Sequence, residues 1–100
     1  MARPYGKWLI FLKKTENVMD IYNKLSDNNI TDIIKNETML AVLTDFENKD
    51  EIGFKIATIL EKDLTYKLQD QTDDQIFYKD KRIPCQKLFW NHGNLFLEQI

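Results

Sequence analysis

An α+β fold, one antiparallel sheet covered by two helices, is predicted for this 100-residue chain by three observations. Residues 8–12, Trp-Leu-Ile-Phe-Leu, form an apolar run bounded by Lys7, Lys13 and Lys14. Five residues are too few for a helix buried all round and suit a central strand covered on both faces. Residues 38–44, Thr-Met-Leu-Ala-Val-Leu-Thr, form a second run of the same kind. After each run, apolar residues recur at helical spacing: Val18, Ile21, Tyr22 and Leu25, then Ile52, Ile56, Ile59 and Leu60.

The elements follow in order. Residues 1–6, with Pro4 and Gly6, read as a leader to a strand over about 7–13. Thr15 is a favourable N-cap, and Glu16 would sit in the first turn, where the helix dipole favours an acid. A helix over about 16–27 then stops at Asp27-Asn28-Asn29. Residues 30–35, with Ile30, Ile33 and Ile34, read as a strand linked through Asn36-Glu37 to the strand over 38–44. Asn48 with Glu51 three residues on has the spacing of a capping box for the second helix. Gly53 inside that helix costs roughly 1 kcal/mol relative to Ala, which close packing on the sheet would explain. The helix is expected to end near Lys62-Asp63. Residues 64–69 then alternate, with Leu64, Tyr66 and Leu68 on one face and Thr65, Lys67 and Gln69 on the other.

The resulting order, β-α-β-β-α-β, resembles a ferredoxin-like sandwich, with four antiparallel strands on one side and two helices on the other. Its two central strands are the first and third, the two most apolar here. The whole chain, 1–100, is expected to form a single domain, with residues 1–69 as the core and 70–100 as a C-terminal extension. Within that extension, Ile76-Phe77-Tyr78 pairs with Ile83 if residues 79–82 turn, and residues 84–93 admit two readings. Pro84, the spacing of Cys85, Leu88, Phe89 and His92, and Gly93 as a stop suit a short helix. Leu88-Phe89-Trp90 and Leu95-Phe96-Leu97 around Asn91-His92-Gly93-Asn94 suit a hairpin, which is favoured.

Composition narrows the function classes. Apolar residues are 43% of the chain and charged residues 30%, the proportions of a soluble folded domain. No apolar run approaches a membrane span, and residues 1–14 lack the long apolar region and cleavage site of a secretory signal. A single cysteine, Cys85, fits a reducing compartment, so a cytoplasmic location is expected. Lys, Ile and Asn supply 31 residues, an AT-rich coding bias of the kind found in low-GC bacteria and their phages.

Motifs for chemistry are absent from the sequence. Cys85 and His92 would share a face if 84–92 were helical, but no third residue is placed to orient them. Asp70, Asp73 and Asp74 lack the spacing and the glycine of a calcium loop. No catalytic residue, metal ligand or cofactor is expected. The loop after the first strand has neither the glycines and arginine of an acylphosphatase-like site nor the paired cysteines of a metal carrier. An RRM stacks bases on aromatics of its first and third strands; Phe11 suits the first, but residues 38–44 hold no aromatic.

Charge is uneven. Residues 1–14 carry +4, residues 15–78 carry −8 and residues 79–100 carry +2. Two function classes follow. The first is a small non-enzymatic module, such as a phage-encoded inhibitor or regulator, that binds a host or cognate protein through Asp45, Glu47, Asp50 and Glu51. The alternative is an RNA- or DNA-binding protein that uses the basic, aromatic ends, with Lys13, Lys14, Lys79, Lys81, Arg82 and Lys87 on phosphates. Either class is compatible with a homodimer, and neither involves a membrane.

Overall fold

A computed structural model describes residues 5–45, 47–68, 75–78, 81–84 and 86–98. The elements run β1 (Tyr5–Phe11), α1 (Val18–Asp27), β2 (Ile33–Lys35), β3 (Met39–Asp45), α2 (Lys49–Leu60), β4 (Leu64–Leu68), β5 (Gln75–Tyr78), β6 (Lys81–Pro84), β7 (Gln86–Asn91) and β8 (Asn94–Leu97). Strands β1 to β4, β7 and β8 form one antiparallel sheet in the order β2-β3-β1-β4-β7-β8, and β5 pairs with β6 in a separate two-stranded sheet. Among the described residues the fold is therefore α+β with two helices and a main sheet of six strands, not the four expected. The C-terminal hairpin, read from sequence as an extension, joins the main sheet by pairing Leu64 with Leu88 and Tyr66 with Gln86.

Local signals explain the shifted boundaries. The first helix starts two residues later than Thr15 would allow, because Asn17 is its N-cap: Oδ1 accepts from the Met19 and Asp20 amides at 2.8 and 3.2 Å. Glu16 turns back instead and accepts from the Lys13 amide at 2.8 Å. The capping box of α2 does not form. The Asn48 side chain donates to Asp45 Oδ2 at 3.0 Å rather than capping the helix, which then ends at Leu60 with Glu61 in the left-handed region. Ile30 is buried but outside β2, since Asp32 adopts a positive φ of 59° and delays the strand.

The two-residue period of the strands assigns each residue a face. Trp8 and Ile10 of β1, Leu40 and Val42 of β3, Leu64 and Tyr66 of β4 and Leu88 of β7 face the helices, where Leu25, Ile56 and Ala57 complete the buried cluster. Trp8 is the centre of this layer. Its ring meets Tyr66 edge-on at 5.2 Å, its Nε1–H donates to the Lys49 carbonyl at 2.8 Å, and α2 passes over it at Gly53. Close packing is thus the reason for a glycine in that helix. The hairpin forms, not a short helix: β7 and β8 pair over Gln86–Asn91 and Asn94–Leu97, with His92 at φ 49° and Gly93 at φ 89° in the two-residue turn, while Pro84 belongs to β6. No helix among the described residues is long and apolar enough to cross a membrane.

Candidate functional site

Among the described residues no helix packs on the opposite face of the sheet; Leu9 and Ala41 at its centre are nevertheless buried, and the strand register determines which residues around them it displays. Leu9 pairs with Ala41 on one side and Thr65 on the other, and Thr65 pairs with Lys87. Two residues further along the same face, Phe11 pairs with Met39, and Phe89 pairs with Phe96. Phe11, Phe89 and Phe96 therefore lie in one row across β1, β7 and β8. At the usual strand spacing that row is about 14 Å long. Their side chains are 60%, 42% and 56% exposed, and Ile34 of β2, on the same face, is 52% exposed. Four of the five most exposed large apolar side chains among the described residues thus share a single face.

Charge on the sheet is as segregated as the rings. The six strands contain Lys7, Lys35, Lys67 and Lys87 and one acid, Asp45 at the end of β3. Lys7, Lys67 and Lys87 belong to the open face; Lys35 turns to the helix side and lies 4.6 Å over the Tyr22 ring. Beyond Phe11 the chain passes through exposed Lys13 and Lys14. A cleft of about 420 Å³ adjoins the end of the row, lined by Phe11, Lys13, Lys62 and Asp63. Lys62 Nζ donates to the Phe11 carbonyl at 3.1 Å and to Glu16 Oε1 at 2.5 Å. That ammonium, and after it the Lys13 amide, hold the Glu16 carboxyl below the usual carboxylate range. Asp63 accepts the Trp90 amide at 2.9 Å and so ties β7 to the start of β4.

The acidic residues singled out from sequence serve the fold unequally. Asp45 accepts from the Asn48 amide at 3.1 Å and closes the turn before α2. Asp50 pairs with Lys49 at 2.5 Å. The Lys49 side chain is buried, donates also to Gln86 Oε1, and lies 5.7 Å from the Tyr66 ring. Glu47 and Glu51 are exposed. Asp45 and Glu51 line a cleft of about 680 Å³ with Asp32 and Asn48, whereas Glu47 and Asp50 do not line it.

The basic candidates also separate. Lys13, Lys14 and Lys87 are exposed. Lys81 and Arg82 belong to β6 and not to a turn, since they pair with Tyr78 and Phe77 of β5. Lys79 lies outside the described residues, as does Cys85, while His92 stands in the hairpin turn with its ring 6.2 Å from Trp90. Among the described residues no group of His, Cys, Asp and Glu is placed to hold a metal ion.

The sequence places Phe89 and Phe96 in the basic, aromatic C-terminal end but gives neither a position beside Phe11. The local signal was present: Lys87, Phe89 and Asn91 alternate with Leu88 and Trp90. What the alternation cannot show is that β7 docks beside β4. Comparisons with protein-family models, with curated proteins and with solved structures return no match.

Proposed function

We propose that this protein binds single-stranded nucleic acid, RNA or DNA, across the open face of its sheet. The observation that carries the reading is the exposed row Phe11, Phe89 and Phe96 on a sheet whose charges are almost all lysines. Single-stranded bases stack on such rings whatever their sequence, and lysines beside them take the phosphates. Bases would sit on the aromatic row, with the sugar-phosphate chain toward Lys87 on one side and Lys13 and Lys14 on the other. The net charge of −2 does not oppose this, since Asp20, Asp27, Asp50 and Glu51 lie in the helices on the other side of the sheet, and Asp45 is the one acid within the main sheet's strands against four lysines. In this reading β2-β3-β1-β4 is a ferredoxin-like kernel, widened by β7 and β8 to supply two of the three rings.

Binding of a host or cognate protein through the acidic residues has less support, because Asp45 and Asp50 are engaged within the fold. Titration of labelled DNA and RNA homopolymers, followed by fluorescence anisotropy at several salt concentrations, tests the proposal. Affinity that falls with salt and is lost on replacing Phe11, Phe89 and Phe96 together with Ala is the expected result. A protein that binds none of the homopolymers at low salt would refute it.

A further inference from the structure

We infer that β8 is a self-pairing edge through which two copies of this chain join their sheets. The two edges of the main sheet differ. At one edge, β2 is three residues long, ends in Lys35 and follows Asp32 in a left-handed conformation, features that discourage strand addition. At the other, β8 is Asn-Leu-Phe-Leu, with neither a charge nor a proline. Among the described residues β8 pairs only with β7.

The hairpin determines which backbone groups of β8 face outward. Asn91 and Asn94 flank the two-residue turn, so they exchange hydrogen bonds, and alternate pairs beyond them do the same. The Glu98 amide accordingly donates to the Lys87 carbonyl at 2.8 Å. Leu95 and Leu97 fall between these bonded positions, and their N–H and C=O groups point away from β7.

A second copy fits this edge better than an unrelated strand. An antiparallel pairing about a two-fold axis perpendicular to the sheet, centred on Phe96, lets Leu95 of each copy bond with Leu97 of the other. It also sets Phe96 opposite its own counterpart, at the kind of pair where side chains approach most closely. Because β8 is uncharged, self-pairing opposes no like charges. The same axis keeps both open faces on one side, so the row Phe11, Phe89, Phe96 would continue into the second copy.

The test needs no ligand, so its failure would leave the nucleic-acid reading standing. Light scattering is expected to give a dimer mass for the parent and a monomer mass for Phe96→Lys, which would oppose two ammonium groups at the axis. In a Cys85→Ser background, Phe96→Cys is expected to cross-link to its own copy under mild oxidation. The rate should exceed that of the helix-surface control Asn23→Cys by at least about tenfold, as a reaction within a complex exceeds a chance encounter. A monomeric parent at its highest soluble concentration, or cross-linking no faster than the control, would overturn the inference. Because the cysteine comparison reads a rate in the folded protein, it decides even if Phe96→Lys fails to fold.

Discussion

Gly53 of α2 lies so close to Trp8 of β1 that a Cβ at position 53 would come within 2.4 Å of the indole Cζ2. The ring cannot yield, since its Nε1–H is bonded to the Lys49 carbonyl and its edge contacts Tyr66. Two effects of Gly53→Ala therefore oppose one another. Helix propensity favours alanine by up to about 1 kcal/mol, whereas overpacking costs about 1–3 kcal/mol. The clash is with a buried, doubly held ring, so destabilisation is expected to win. Urea denaturation of the variant should show a lowered midpoint, and a raised one would disprove the packing account.

Asp50 separates a structural acid from a recognition acid. Asp50→Ala removes the carboxylate that pairs with buried Lys49 and should cost about 1–2 kcal/mol, less than a fully buried pair because Asp50 itself is half exposed. Glu47→Ala and Glu51→Ala should each stay within about 0.5 kcal/mol of the parent. Equal melting temperatures for all three variants would show that the partners of Lys49 other than Asp50 suffice to hold it.

The Glu16 carboxyl has its pKa lowered by Lys62 and by the Lys13 amide. A group whose folded pKa lies below its unfolded value stabilises the fold above the unfolded value and loses that contribution as pH falls through the folded one. Acid titration of the melting temperature should thus fall below about pH 4.3, the ordinary glutamate value, in part through this residue. Glu16→Gln should flatten that portion of the curve and cost no more than about 1 kcal/mol at neutral pH, since the partly buried Glu16–Lys62 pair still meets solvent. An unchanged acid limb would show that Lys62 contributes nothing there.

Much of this architecture was legible in the residues themselves. The runs at 8–12 and 38–44 announce interior strands, and the spacing of Val18, Ile21, Tyr22 and Leu25 announces α1, because burial imposes its period locally. The helix start is ambiguous in the sequence because Thr15 and Asn17 are both good caps; the structure selects Asn17, whose Oδ1 accepts from the Met19 and Asp20 amides while Glu16 turns back to the Lys13 amide. Strand number and the aromatic row were hidden for a different reason. They depend on Leu88 pairing with Leu64 across the intervening β5–β6 hairpin, and no short-range pattern encodes such a pairing.

The nucleic-acid proposal makes a separable claim for each type of side chain. Phe11→Ala and Phe96→Ala should each weaken single-strand binding by about 1–3 kcal/mol at every salt concentration, the range for a lost stacking platform. Lys87→Ala should instead reduce the slope of log affinity against log salt by about 0.7, the value for one phosphate on a single strand. A slope change in the phenylalanine variants with none in Lys87→Ala would contradict the assignment of rings to bases and lysine to backbone.

The lysines around β1 also bear on the chain before it has folded, by the general physics of charges that flank an apolar strand. Trp8 to Leu12 are made before the strand that flanks them, β3, which ends only at Asp45. At ordinary elongation rates the wait is about 2–7 seconds, and the other neighbour, β4, is later still. For that interval an apolar, strand-forming segment has no partner within its own chain, and another nascent chain is the nearest substitute. Lys7, Lys13 and Lys14 bracket it with positive charge, the arrangement by which sequences keep such segments from joining one another. Positive charge at both ends of β1 therefore opposes the joining of two such segments before either has its own neighbours, independently of any role in the folded protein.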